Sequence, residues 1–187
     1  MPKLIIGLVG PLASGKGVVK DYICEKYQAK SYKFSNPIRD VLKRLHIPIS
    51  RENMQNISLD LRNRFGEDLF AKIIAKDVKE DETNIIVVDG ARRLADIKHL
   101  QPLTEFKLIS INADMKKRFQ RVKERNENEG DKEKTFEQFQ ADENRETELT
   151  IPKVMAVNDF SIDNNCNFEE LYRQIDIIFA KITTYEK

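Results

Sequence analysis

Tryptophan is absent from this 187-residue chain, cysteine occurs only at Cys24 and Cys166, and there are just seven glycines and two histidines. Two distant cysteines without a CxxC pair build neither a disulfide framework nor a zinc-ligand set, and they point to a reducing compartment. So few glycines argue against a loop-rich protein. No stretch approaches the ~20 consecutive apolar residues of a membrane-spanning helix. The apolar start MPKLIIGLVG runs into a loop rather than a small-residue cleavage site, so a secretory signal is not expected. Lys and Arg number 32 against 31 Asp and Glu, a net charge of +1, which argues against a basic nucleic-acid-binding coat. A cytoplasmic protein with neither nucleic acid nor membrane as partner is expected. The length suits one domain able to bury a real core.

What is present is an alternation of apolar runs and helical stripes. Residues 4–9, 85–88 and 106–111 are short apolar runs that read as buried strands, with shorter strands at 32–34 and 160–162. Helical spacing follows at Val18, Val19, Tyr22 and Ile23, with Cys24 close to that apolar face. Ser35-Asn36-Pro37 reads as a helix start, and 38–79 as helices only, broken near 47–50 and at Gly66. Phe168, Leu171, Tyr172, Ile175, Ile178, Phe179 and Ile182 form a final i, i+3, i+4 stripe. Strands without polar alternation, separated by helices, predict an α/β fold with a parallel sheet covered on both faces. Residues 114–148 hold 20 charged residues in 35, nine basic and eleven acidic, and read as a solvated helical excursion with its polar crest at 126–134.

Gly10-Pro11-Leu12-Ala13-Ser14-Gly15-Lys16-Gly17 has the spacing GxxxxGK between a strand and a helix. Glycines there let backbone N–H groups converge on an anion, the helix start adds partial positive charge, and Lys16 adds a full one. The Ser or Thr that commonly follows the lysine and holds Mg²⁺ is replaced by Gly17, with Val18 next. Ser14 is the nearest hydroxyl, and the metal would be held mainly by ATP oxygens, water and an acid elsewhere. Asp89 is that acid, placed by its apolar run at the carboxyl edge of the sheet; its other reading is a turn aspartate before Gly90.

Phosphoryl transfer needs phosphates held in line and their charge neutralised, a task suited to arginine. Arg39 lies at a helix start, Arg62 and Arg64 in LRNRFG, and Arg92 and Arg93 directly after Asp89-Gly90-Ala91. Arg118, Arg121 and Arg125 share a helix face, which could equally be a solvated flank. Arg145 among acids reads as a surface ion pair. His46 and His99, in segments read as helical, have no evident catalytic partner. No Ser-His-Asp group or paired-carboxylate motif stands out.

These residues carry a resemblance. GPLASGKGV resembles the phosphate loop GxxGSGKGT of nucleoside monophosphate kinases, departing at Val18 where those enzymes carry Thr. VDGARR is similar to the DGFPR segment of adenylate kinases, which implies Arg93 as an acceptor-phosphate ligand, and to the DGIR pattern of related archaeal P-loop kinases, which implies Arg92. FSNPIRDVL through RENMQNISLDLRNRFGEDLF resembles the acceptor-binding helices of phage-type deoxynucleoside monophosphate kinases, implying Arg39 and Arg62. RFQRVKER resembles the approach to the LID of this superfamily. VNDFSIDNNCNFEELYRQI is similar to the C-terminal stretch of dephospho-CoA kinases, where the strand and Asn pair lie near the adenine.

The resemblance implies a three-layer P-loop fold with a core (1–34, 80–125, 149–187), an inserted helical acceptor-binding lobe (35–79) and a LID (126–148). Its implied activity is Mg²⁺- and ATP-dependent transfer to a (deoxy)nucleoside monophosphate. Gly10, Ala13, Ser14, Gly15, Lys16, Gly17 and Val18 would cradle the donor phosphates with Arg121. Lys16, Arg92, Arg118 and Arg125 would neutralise charge in transfer, Arg39, Arg62 and Arg93 would hold the acceptor, and Asp89 would orient Mg²⁺ through water. The alternatives are a dephospho-CoA kinase-like small-molecule kinase and a non-kinase ATP-binding or ATPase module. An acceptor phosphate is already anionic and needs no strong base, in keeping with finding none.

Overall fold

A computed structural model describes residues 4–125, 131–144 and 146–184. Strands β1 (Leu4–Val9), β2 (Lys30–Lys33), β3 (Ile85–Asp89), β4 (Phe106–Asn112) and β5 (Phe160–Asp163) form one parallel sheet in the order β2-β3-β1-β4-β5. The fold is α/β, as the strand pattern predicts. All six residues of β1 are buried, since the central strand is covered on both faces. β2 is an edge strand and mostly exposed, with Lys30 and Lys33 discouraging further pairing.

Alternation along the strands divides the interior in two. Ile5, Val9, Ile86, Val88 and Leu108 pack under the helices α2 (Asn36–Arg44), α4 (Leu69–Glu80), α5 (Leu94–Ile97) and α9 (Ile151–Met155). Leu4, Ile6, Leu8, Val87, Ile109, Ile111 and Ile162 pack under α1 (Lys16–Tyr27) and α10 (Phe168–Thr184). Cys24 is half-buried against that second cluster. Within the lobe expected at 35–79, α2 and α4 bury Ile38, Leu42, Phe70, Ile74 and Val78 in the main core. Only α3 (Arg51–Phe65) stands outward, offering Met54, Ile57 and Leu61 as partly buried contacts. It starts on Ser50, whose hydroxyl accepts from Asn53 N at 3.1 Å, and ends at Gly66 with φ +102°, where the chain needs a residue without Cβ.

The expected breaks at 47–50 and Gly66 separate the helices observed. β2 begins two residues before the expected strand and ends at Lys33, because its pairing with β3 runs from Lys30 opposite Ile86 to Lys33 opposite Asp89. His46 and His99 lie in turns rather than helices: His46 takes φ +57° just beyond α2, and His99 follows α5 and hydrogen-bonds Asp68 at 2.9 Å. The charged excursion contains α6 (Met115–Arg125), α7 (Phe136–Glu143) and α8 (Glu146–Leu149). Phe139 is fully buried and meets Phe119 at 5.7 Å between ring centroids, so α7 docks on α6 through an apolar contact beneath the charges. Part of the expected crest, 126–130, and Arg145 lie outside the described residues. No helix among the described residues is long and apolar enough to cross a membrane.

Candidate active site

The site sits at the carboxyl edge of the sheet, where β1 ends and the 10–15 turn leads into α1. Two glycines there are fixed by close approach. A Cβ on Gly10 would collide with the Ile111 carbonyl and come within 2.6 Å of Ser14 Oγ. A Cβ on Gly15, at φ +99°, would collide with Asn164. Ala13 takes φ +57°, a conformation rare for a residue with a side chain and concentrated at functional sites. Ser14 N donates to Pro11 O at 3.2 Å, closing the turn. Beside Gly17 a Cβ would meet only open space, so glycine there is not required by packing.

Lys16 folds back over this loop, its Nζ donating to Gly10 O at 2.6 Å and Pro11 O at 2.9 Å. Burial lowers its pKa to about 8, while the carboxylates of Asp89 and Glu148 pull it back up and the guanidinium of Arg92 lowers it further. Asp89 is the last residue of β3, opposite Leu8 of β1, which places it beside the loop and makes it a strand-end carboxylate. Four buried polar atoms around the loop have no hydrogen-bond partner among the described residues: Ser14 Oγ, Asp89 Oδ1, Arg121 Nη1 and Glu148 Oε2. Buried polar atoms are almost always paired, so a set of this kind around a phosphate-type loop fits a polar ligand.

The expected arginines are distributed unevenly. Arg92 pairs with Glu148 at 2.5 Å, and Thr150 Oγ1 donates to Arg92 O at 2.8 Å, so the end of α8 is stapled to the segment following Asp89. Arg93 pairs with Glu67, in the turn between α3 and α4, at 2.5 Å. Arg62 is buried: its Nη2 meets Asp96 at 2.9 Å, its Nη1 donates to the Glu67 carbonyl, and its guanidinium stacks 4.9 Å from the centre of Phe70. Asp96 also accepts from the backbone N–H groups of Arg92 and Arg93, at 2.9 and 3.0 Å, so Arg62 braces the DGARR segment from behind. Arg39 is exposed on α2, with no side-chain partner among the described residues, just beyond Phe34, whose N–H donates to Asp89 O at 3.3 Å.

Arg118 is turned inward. Its Nε donates to Ala113 O at 3.0 Å and its Nη1 to Leu12 O at 3.1 Å, and both terminal nitrogens meet the Glu143 carboxylate at 2.8 Å. Arg121 reaches the site, with Nη2 on Asn164 O at 2.8 Å. Arg125 lies at the exposed end of α6. The residues that motif reading did not single out are Asp96, Glu143 and Glu148; Asn164, one of the Asn pair in the C-terminal stretch, donates to the Ser14 carbonyl at 2.8 Å, a contact with the loop that the resemblance does not imply. Asp96 sits at the third helical position after Arg93, a capping-box position hidden in the sequence because arginine, not Ser or Thr, occupies the cap. The two glutamates are indistinguishable in sequence from the nine other acids of their segment.

The residues present fit Mg²⁺ held chiefly by phosphate oxygens and water. Asp89 offers an unpaired carboxylate oxygen and Glu148 a second, whereas no group of three potential ligands occurs among the described residues. Bound there, the ion would supply charge neutralisation to the donor phosphates.

A family model described as AAA domain matches residues 9–140. The UPF0200 protein of Staphylothermus marinus is 31% identical over 181 residues, covering 96% of this chain and 94% of that one. The chain belongs to the AAA domain and UPF0200 families. A UPF0200 protein of Thermococcus onnurineus is 27% identical, over 96% of this chain and 98% of its own. Among solved structures, shikimate kinase from Bacteroides thetaiotaomicron superposes with a TM-score of 0.63 at 12% identity, covering 96% of this chain and 98% of that one. A gluconokinase from Sinorhizobium meliloti gives 0.56 at 15%, covering 97% and 93%. These likenesses show the α/β P-loop kinase fold.

Proposed function

We propose that this protein transfers the γ-phosphoryl group of ATP to a (deoxy)nucleoside monophosphate, releasing the diphosphate and ADP. The observation that carries the reading is the strained phosphate-type loop, with Lys16 curled into it and four unpaired buried polar atoms around it. Lys16 would exchange its two carbonyl contacts for donor phosphate oxygens. Backbone N–H groups of 13–18 would hold the same phosphates, Arg121 would add a donor through Nη1, and Asp89 would orient Mg²⁺ through water. Arg39, Arg92 and Arg93 would grip the acceptor phosphate; the last two would first leave Glu148 and Glu67, so each carboxylate holds an arginine in place until an anion displaces it. Arg62 serves by bracing the segment that presents Arg92 and Arg93. Arg125, at the end of α6, would add charge to the transferring group.

A hydroxyl acceptor is the second reading, and Glu148 favours it. Its buried, unpaired Oε2 is a carboxylate near Lys16 that could take a proton from a hydroxyl, as a kinase for dephospho-CoA, shikimate or gluconate would need. The test is to incubate the protein with Mg-ATP and each of the NMPs, dNMPs, dephospho-CoA, shikimate and gluconate, following ADP and the phosphorylated product. A new nucleoside diphosphate is expected. Product from a hydroxyl acceptor alone moves the second reading ahead, and slow ADP release indifferent to acceptor defeats both in favour of an ATPase or binding module.

A further inference from the structure

The phosphate loop is held from outside by a residue beyond β5. Asn164 is buried, and its main-chain N–H donates to Asn112 O at 2.7 Å, fixing it to the end of β4. Its side-chain Nδ2 donates to the Ser14 carbonyl at 2.8 Å, and its own carbonyl accepts from Arg121 Nη2 at 2.8 Å, with Oδ1 3.4 Å from that same nitrogen. The amide lies so close to Gly15 that any side chain there would displace it. Beside the same glycine, Arg121 Nη1 lies 3.9 Å from where a Cβ would stand, buried and without a partner among the described residues.

An amide is suited to this place for a chemical reason. Ser14 presents an acceptor and Arg121 presents only donors, so the group between them must donate on one edge and accept on the other. Flipping the amide would set oxygen against oxygen and nitrogen against a cation, so a single orientation satisfies both neighbours. The turn it braces contains Ala13 at φ +57°, a conformation that in a residue with a side chain persists only where surrounding contacts over-determine it, next to Gly15, whose φ of +99° glycine adopts freely.

We propose that Asn164 is a positioning residue of the nucleotide-donor site. It locks the Ser14–Gly15 turn and the Arg121 guanidinium into one register, so that the loop N–H groups and Arg121 Nη1 face the same ATP. The inference rests on the reading that ATP binds this loop. Asn164 acts through the loop and Arg121 and does not touch the transferring group, so its loss weakens ATP binding far more than acceptor binding. Because Asn164 and Arg121 work as one unit, their losses do not multiply.

The test is calorimetric titration of the folded protein with Mg-ATP, and separately with inorganic tripolyphosphate as a probe of the loop alone. The proteins compared are wild type, Asn164→Ala, the isosteric Asn164→Asp, Arg121→Ala, and the Asn164→Ala/Arg121→Ala double variant. Each single substitution is expected to weaken ATP about tenfold, the double variant by no more than about twentyfold. The Asn164 variants should weaken tripolyphosphate as well, with melting temperatures within a few degrees of wild type. A hundredfold loss in the double variant overturns the coupling, and unchanged ATP affinity in either folded Asn164 variant overturns the inference. So does failure of both variants to fold, which would make Asn164 a folding residue. A wild-type protein that binds neither probe brings down the donor-site reading itself, and this inference with it.

Discussion

The Arg118–Glu143 pair decides whether Arg118 is a strut or a phosphate ligand, and its geometry gives the sizes of the effects. The side chains are 6% and 18% exposed and meet through two parallel contacts at 2.8 Å, the bidentate arrangement that makes Arg–carboxylate pairs strong. Removing one member of a buried pair typically costs about 3–5 kcal/mol, since the survivor is left charged and desolvated. Glu143→Leu should sit near the lower end, about 3 kcal/mol, because Arg118 keeps the Ala113 and Leu12 carbonyls. Arg118→Met should cost about 2 kcal/mol, since Glu143 lies closer to solvent. Replacing both removes the stranded charge, and the double variant should lose about 2 kcal/mol, well short of the sum. Urea unfolding followed by two coincident probes measures the cycle.

The same double variant separates the two roles in catalysis. A strut that ties α7 to the phosphate loop through Leu12 acts indirectly, and its replacement by packed apolar side chains should leave kcat within about tenfold of wild type. An arginine on the transferring phosphoryl group is worth about 10³-fold or more in kcat. A double variant that regains stability yet loses a thousandfold in turnover would refute the strut and return Arg118 to the reaction. Additive stability losses would refute the pair as a unit.

Lys16→Ala should abolish transfer while leaving far-UV circular dichroism unchanged, and a folded variant with wild-type turnover would sink the phosphate-loop assignment. Because burial holds the Lys16 pKa at about 8 against an ordinary 10.5, the unfolded chain keeps a proton that the folded one releases. Stability of the free protein should therefore rise as pH climbs from about 8 towards 10.5, a trend that Lys16→Met should flatten in urea titrations. ATP needs the lysine charged, so its affinity should fall above about pH 8 with proton uptake on binding, seen by calorimetry in buffers of different ionisation enthalpy. Arg39→Ala should raise the acceptor KM about tenfold without moving the melting temperature, whereas Arg62→Ala should destabilise the protein by about 3 kcal/mol because the buried Asp96 carboxylate loses its cation and keeps only the two backbone N–H donors; the reverse pattern would exchange their roles.

The fold was largely legible because its signals are local. Short unbroken apolar runs bounded by turn residues read as strands covered on both faces, and the spacing GxxxxGK between a strand and a helix marks the sheet edge at which a ligand would sit. The place of Asp89 at that edge was legible for the same reason, as the polar residue ending an apolar run. Which arginines face the site was not legible, because a guanidinium's direction depends on carboxylates distant in sequence. Arg62 and Asp96 are 34 residues apart, Arg92 and Glu148 are 56, and Arg118 and Glu143 are 25. Helix periodicity puts Arg118, Arg121 and Arg125 on one face, yet Arg118 is buried beneath Phe139 of α7, 5.6 Å from its ring centre, while Arg125 is exposed at the end of α6.

That arrangement bears on how a kinase of this shape would avoid hydrolysing its donor. An arginine left loose beside a phosphate loop would bind ATP alone and stabilise transfer to water as readily as to an acceptor. Here Arg92 and Arg93 are each held by a glutamate of another segment, Glu148 on α8 and Glu67 at the start of the α4 region. On the proposed function, the phosphate that arrives with the acceptor would displace each carboxylate from its arginine. On that reading the catalytic charge would be assembled by the second substrate, and the glutamates that compete for it would be part of the selectivity. Charge-neutral replacement at Glu148 should then raise acceptor-independent ADP release relative to transfer, since Arg92 would be free to act on water.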